Sequence, residues 1–246
     1  MSLSLYILGA GGSYPPPGYA GPSLLVEAPD YRLLLDCGDS CAARLEEAGF
    51  DPCDVDAVYV SHRHADHWSG LVQLLSSRGA RGCPRLEVIA HRNVAVELLR
   101  LLEPLVPGNA EVSPRILGDE EPLRPGVLEA SLFRVRHQVP TYGVSIREGG
   151  EGLLAYTADT AYDEGLAESL RGHLVVVADS TLPPSGESER AAMFHMSVRQ
   201  AWRLAVEHAG ADSVVAFHLS PESLEYARRS RLPGLLVPGE GLKMTL

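Results

Sequence analysis

Ser61-His62-Arg63-His64-Ala65-Asp66-His67 is the stretch whose reading decides the fold. It follows directly on an apolar segment, Asp56 to Val60, which reads as a buried strand. His62 and His64 are two apart, so in an extended backbone their side chains point to the same side and can share one metal ion. The chain then turns into a segment with helical spacing (Trp68, Leu71, Val72, Leu75), which carries Asp66 and His67 toward a neighbouring point. Two imidazoles followed by an adjacent carboxylate and imidazole suit two borderline cations such as Zn²⁺. Any one of these residues could be packed or exposed without function. The set, placed directly after a buried strand, points to metal.

Each metal needs three or four ligands and an open position for water, so further donors must come from elsewhere. The candidates all lie at strand ends: His137 closes the segment Leu128 to Arg136, Asp159 follows Leu153 to Thr157, and His218 follows Ser213 to Phe217. Taken alone each is more often structural. Their shared placement makes them ligand candidates.

Working outward, Ser4 to Leu8, Ser23 to Glu27 and Arg32 to Asp36 read as strands, with Gly9 to Pro22 a Gly/Pro-rich loop between the first two. A helix is predicted from Ser40 to Ala48, stopped by Gly49. Leu86 to Ala90 reads as a strand, Asn93 to Leu102 as a helix and Pro114 to Leu117 as a short strand. In the second half, Gly143 to Arg147 and Leu153 to Thr157 are strands joined at Glu148-Gly149-Gly150-Glu151-Gly152. A helix near Glu164 to Leu170, a strand Leu174 to Ala178 and a helix Val198 to Ala209 precede the last strand, Ser213 to Phe217. Strands in runs with interspersed helices are accommodated by two mixed sheets packed face to face with helices outside.

The chain has 246 residues, 45% hydrophobic and 22% charged, enough for a full core and ordinary for a globular protein. This fits one domain over 1–246, built from halves of about 1–125 and 126–246. No apolar run approaches the ~20 residues of a membrane span, and the N-terminus lacks a signal-peptide pattern, so a cytoplasmic protein is expected. Cys37, Cys41, Cys53 and Cys83 show no paired zinc spacing and read as reduced packing thiols. The net charge of −11 is a poor background for sequence-independent nucleic-acid binding. Arg228-Arg229-Ser230-Arg231 is the one dense basic cluster and reads as a solvated helix end. Gly9 to Gly12 could form an anion-binding turn but lacks the P-loop Lys-Ser/Thr.

The chain resembles the metallo-β-lactamase superfamily, and within it the ribonuclease Z branch. Ile7 to Ser13, Leu34-Leu35-Asp36-Cys37-Gly38-Asp39, His62 to His67, His137-Gln138-Val139-Pro140-Thr141-Tyr142-Gly143, Tyr156-Thr157-Ala158-Asp159-Thr160 and Phe217-His218-Leu219-Ser220 occur in that family's order. The resemblance implies an α/β fold, the four-layer αβ/βα sandwich, with its site at one edge. It implies one metal on His62, His64 and His137, a second on Asp66, His67 and His218, and Asp159 bridging both. Two divalent metal ions per chain follow, Zn favoured and Mn or Fe as alternatives. Asp36 would support the histidines without binding metal.

Asp179, in Val177-Ala178-Asp179-Ser180-Thr181, and His195, in His195-Met196-Ser197, resemble the ribonuclease Z pairing of an acidic residue with a histidine. A histidine not tied to metal can give the leaving alkoxide its proton after attack by a metal-bridging hydroxide. Asp66, His195 and Asp179 are therefore expected in the catalytic set. The alternative for His195 is a cap on the helix beginning near Ser197. His91, His173 and His208 match no family position. Between Tyr142 and Asp159 the chain has only a hairpin, where the branch carries a protruding arm for transfer RNA, so weak or no transfer-RNA binding is expected. The expected function is a phosphodiesterase of ribonuclease Z-like type. Hydrolysis of a carboxylic ester, thioester or lactone on the same site is the alternative, and a non-catalytic metal-dependent sensor a third. A homodimer is allowed for, though no residue specifies one.

Overall fold

Successive strand residues point to opposite apolar environments, which is the pattern of sheets covered on both faces. Leu33 and Leu35 enter one cluster and Leu34 another; Tyr59 joins the first, Val58 and Val60 the second. In the second half Leu154 and Tyr156 share the first cluster, whereas Ala155 lies in a third. A single cluster fed by both halves means that two sheets are packed face to face. The clusters on their outer faces are closed by helices.

The computed structural model describes residues 3–106, 108–119, 121–123, 128–239 and 241–246. The expected divide between the halves, at 125/126, falls outside these residues, as do Met1 and Ser2. The first half runs β1 (Ser4–Gly9), β2 (Ser23–Ala28), β3 (Tyr31–Leu35), α1 (Cys41–Glu47), β4 (Ala57–Val60), α2 (Ser69–Arg81), β5 (Leu86–His91), α3 (Arg92–Leu102) and β6 (Val112–Leu117). Next come β7 (Glu129–Arg134), β8 (Tyr142–Glu148), β9 (Glu151–Tyr156), α4 (Ala167–Leu170), β10 (His173–Asp179), α5 (Val198–Trp202), β11 (Ser213–Phe217), α6 (Pro221–Arg229), β12 (Leu235–Leu236) and β13 (Leu242–Thr245). One sheet has the order β13-β1-β2-β3-β4-β5-β6 and the other β12-β11-β10-β9-β8-β7. Helices α1 to α3 cover the first sheet through Leu45, Leu71 and Leu98, and α4 and α5 cover the second through Leu170 and Ala201. Each fully buried leucine of these interfaces contributes ~1.5–3 kcal/mol of burial. The expected four-layer sandwich is the observed fold.

Three features differ from the sequence reading. The helix expected over Val198–Ala209 is α-helical only to Trp202 and continues as a π-helix over Arg203–His208, with the Ala209 amide bonding the Leu204 carbonyl. The C-terminal elements α6, β12 and β13 were not anticipated, and β13 pairs with β1, so the end of the chain completes the first sheet.

The reading of four reduced thiols is corrected for one pair: Cys53 and Cys83 form a disulfide, while Cys37 and Cys41 remain free and buried. Thirty residues separate the bonded pair in sequence, so local spacing carries no signal of it. What brings them together is Arg78, whose guanidinium bonds the carbonyls of Pro52, Val55 and Pro84 and ties both cysteine-bearing turns to α2.

Candidate metal centre

Strands β3, β4 and β5 are parallel, as are β9, β10 and β11. Their carboxyl ends therefore open at common edges, where α/β sheets hold their ligands. Asp36 leaves β3, the His62–His67 loop leaves β4, Asp159 follows β9, Asp179 ends β10 and His218 follows β11. Four described non-glycine residues have positive φ, and three stand here: Asp36 (59°), Ala158 (53°) and His218 (58°). Such left-handed residues cost energy and persist where the surroundings enforce them. They turn the chain sharply as each strand ends, re-aiming Asp36, Asp159 and His218.

The residues singled out in the sequence converge in two groups. Donor atoms of His62, His64, His137 and Asp159 lie within 4.8 Å of one another, and so do those of Asp66, His67 and His218. Asp159 faces both groups: Oδ1 is 3.2 Å from His67 Nε2, and Oδ2 is 3.5 Å from His218 Nε2 and 3.7 Å from His62 Nε2.

In four of the five rings the outer nitrogen is occupied by protein, whereas His64 turns its Nδ1 toward His137 Nε2, 3.1 Å away. His67 Nδ1 lies 2.7 Å from Asp36 Oδ2 and His137 Nδ1 2.9 Å from the Phe194 carbonyl, so each must donate to an acceptor that has no proton. Ser61 gives its hydroxyl proton to Asp36 and hence accepts from His62 Nδ1 at 3.0 Å. Thr181 likewise donates to Asp179 Oδ1 and accepts from His218 Nδ1 at 2.8 Å. In the neutral ring this leaves the inner nitrogen, Nε2, as a bare lone pair.

Lone pairs and a carboxylate thus face one another across a buried space. His62 Nε2, His67 Nε2 and Asp159 Oδ1 are buried with no hydrogen-bond partner. Unpaired buried polar atoms are costly, and convergent bare nitrogens repel unless something positive lies among them. The donor set, carboxylates and imidazoles of which four have their outer nitrogen already engaged, fits divalent cations. Burial, together with the neighbouring His67, holds the pKa of His62 well below the usual value. At His67 burial opposes charge, but the carboxylates of Asp159 and Asp36 outweigh it and raise the pKa.

His195 stands beside these groups. Its Nδ1 lies 2.9 Å from Asp179 Oδ2 and its ring stacks on His218 with centroids 5.3 Å apart. Burial works against its charged form, but Asp179 overrides this and pushes the pKa up to about 9. The side chain is 19% exposed, whereas that of Asp179 is fully buried, so the imidazole is the member of the pair that solutes can reach. His195 does not cap α5; Ser197 does, accepting from the Gln200 amide.

Several contacts were invisible in the sequence. Thr181 joins Asp179 to His218, and Tyr156 donates to Asp36 Oδ2 at 2.6 Å. Gly12, weighed as part of an anion-binding turn, makes room instead: a Cβ there would meet the His218 ring at 2.8 Å. His91 caps α3 and stacks on Tyr142, and His173 is satisfied by Ser145 and the Leu170 carbonyl, so both are structural. Arg229 pairs with Glu225, and Arg228 reaches the Tyr19 hydroxyl. Residues 142–156 are a plain hairpin whose turn rests on the positive φ of Gly149 and Gly150.

Known proteins share this arrangement of strands. Ribonuclease Z of Methanopyrus kandleri is 28% identical over 277 residues, covering 98% of this chain and 96% of the relative. The crystal structure of the metallo-β-lactamase fold protein YhfI from Bacillus subtilis superimposes with a TM-score of 0.84 at 21% identity, covering all of both chains. A diphosphatase of the PhnP family superimposes with a TM-score of 0.79 at 20% identity, covering 98% of this chain and 97% of the other. At those identities the two structures speak for the fold alone. A model of the beta-lactamase superfamily domain matches residues 31–219, which include every candidate donor named above, and the chain therefore belongs to the metallo-β-lactamase superfamily.

Proposed function

We propose that this chain is a metal-dependent hydrolase that cleaves phosphodiesters and uses two divalent cations, zinc favoured over manganese or iron. His62, His64 and His137 would hold one, Asp66, His67 and His218 the other, with Asp159 shared. When bound, such cations offset charge on phosphoryl oxygens and make a water nucleophile available at neutral pH.

The single observation that carries the reading past generic hydrolysis is the Asp179–His195 pair, 2.9 Å apart and beside both donor groups. The departing alkoxide of a diester needs a proton. Asp179 accepts from Nδ1 of His195, which orients the ring and favours its charged form. The opposite nitrogen, Nε2, is then the proton donor to the leaving oxygen. Thr181 holds Asp179 on its other oxygen, Oδ1, so the carboxylate is fixed at both ends. Asp36 orients His67 and, through Ser61, His62. A sequence relative named ribonuclease Z, matched over 98% of this chain, supports phosphodiester chemistry. The bare hairpin at 142–156 and the net charge of −11 favour weak binding of transfer RNA.

Turnover of bis(p-nitrophenyl) phosphate against p-nitrophenyl esters, thioesters and lactones by the metal-loaded protein tests this. Preference for the diester is expected. Preference for a carboxylic ester, thioester or lactone would overturn the phosphodiesterase reading, and inactivity on all would favour a sensor.

A further inference from the structure

Tyr156 lies in β9 of the second sheet and is fully buried in the core between the sheets. Its hydroxyl crosses to the first sheet and donates to Asp36 Oδ2 at 2.6 Å. That oxygen also takes the Ser61 hydroxyl and His67 Nδ1, at 2.8 and 2.7 Å. One carboxylate thereby indexes His67 directly and His62 through Ser61.

The same tyrosine is tied to the second half of the centre in two further ways. Asp159 follows it by three residues, so the exit of β9 that delivers Asp159 begins at Tyr156. The ring also packs edge-on against Phe217, with centroids 5.6 Å apart, and Phe217 immediately precedes His218. A buried phenol is a rigid link, with only two side-chain torsions and a fixed reach.

We infer that Tyr156 is a positioning residue that sets the spacing between the donors of the first sheet (His62, His67) and those of the second (Asp159, His218), and so sets cation affinity. The inference rests on the reading of the site as a cation centre. A phenylalanine would fill the core equally well and keep the Phe217 contact, so packing alone does not require the hydroxyl. Without it, Asp36 Oδ2 keeps two donors from its own half and loses the one that comes from the other sheet.

The chain also provides a control. Tyr59, in β4 of the first sheet, is as deeply buried, and its hydroxyl crosses in the opposite direction to the Tyr142 carbonyl at 2.9 Å. Tyr59→Phe removes a cross-sheet hydrogen bond of the same kind whose acceptor is backbone and bonds no imidazole.

The experiment titrates metal-free full-length protein with Zn²⁺ against a chelator, and records the visible absorption of the Co²⁺ form. Tyr156→Phe is expected to weaken binding about 10-fold or more, the usual effect of losing a group that orients a ligand, and to alter the Co²⁺ spectrum. Tyr59→Phe is expected to lower thermal stability similarly with less than about 3-fold effect on affinity, well below the about 10-fold or more of an orienting group. In an Asp36→Asn background, Tyr156→Phe should add little, because coupled neighbours are not additive. Equal affinity losses for Tyr156→Phe and Tyr59→Phe, or wild-type affinity and spectrum for Tyr156→Phe, would overturn the inference. Failure of the wild-type chain to bind either cation would instead overturn the cation-centre reading, and this inference with it.

Discussion

Thr181 Oγ1 stands 2.8 Å from His218 Nδ1 and, with its single proton given to Asp179, can only accept there. One hydroxyl therefore fixes the tautomer of a candidate ligand and steadies the carboxylate of the candidate acid pair. Thr181→Val keeps the shape and deletes both bonds, together with the longer contact of the hydroxyl to His195 Nδ1 at 3.2 Å. Its cation affinity should fall about 10-fold, in the range seen when a ligand loses its orienting partner, while Thr181→Ser should stay near wild type. Competition titration with a chelator measures this. Wild-type affinity in the valine variant would show that His218 needs no such acceptor.

Asp159 faces both donor groups, with one oxygen 3.2 Å from His67 Nε2 and the other 3.7 Å from His62 Nε2. Asp159→Ala should therefore impair both cation positions together, since a shared carboxylate holds two cations at the ~3.5–4 Å spacing of two-metal sites. Elemental analysis after gel filtration should find about two cations per wild-type chain and clearly fewer in the variant. Two tightly held cations in the alanine variant would remove Asp159 from the shared role.

The His62–His67 loop and His218 were legible in the sequence because each follows a buried apolar strand, where an imidazole is conspicuous, whereas His137 follows the half-exposed β7 and carries a weaker signal. The sandwich was legible for the same reason: runs such as Val58 to Val60 and Val175 to Val177 alternate between two buried faces. His195 stood out only through the family resemblance, since nothing local distinguishes it from a helix cap. Thr181 and Tyr156 were not legible, because their partners lie 37 and 120 residues away and a lone hydroxyl has no sequence pattern. Helix α6 did carry a signal, Ser220 before Pro221 with Ser223 completing a capping box. Strand β12, two residues long, carried none.

Charge on His195 should appear in the pH dependence of stability. Its folded pKa, raised to about 9 from an ordinary 6.5, means that the folded protein holds this proton more tightly than the unfolded chain. The stabilisation is then fully present below pH 6.5 and is lost as pH rises through about 9. The Tm of the metal-free protein should fall across that window. His67 contributes with the same sign, so the contrast between wild type and His195→Gln isolates the share of His195. Parallel Tm curves for the two proteins would show that the Asp179–His195 pair contributes no proton-linked stability.

The sharpest test separates phosphodiester chemistry from generic metal-dependent hydrolysis, and it turns on the position of His195 beside the donor groups but bonded to Asp179. If His195 supplies the proton to the leaving oxygen, His195→Ala should leave cation content unchanged. It should slow cleavage of a diester with an alkoxide leaving group by ~10²–10⁴-fold, the usual contribution of a positioned acid. Nitrophenolate departs readily without a proton, so the same variant should lose far less on bis(p-nitrophenyl) phosphate. Asp179→Asn should give a milder form of the same pattern, because it weakens the orientation and charge of the imidazole without removing it. Rates measured across a series of leaving groups should thus fall more steeply with leaving-group pKa in His195→Ala than in wild type. Equal slopes would exclude the acid role, and loss of a cation from His195→Ala would make the residue a ligand instead.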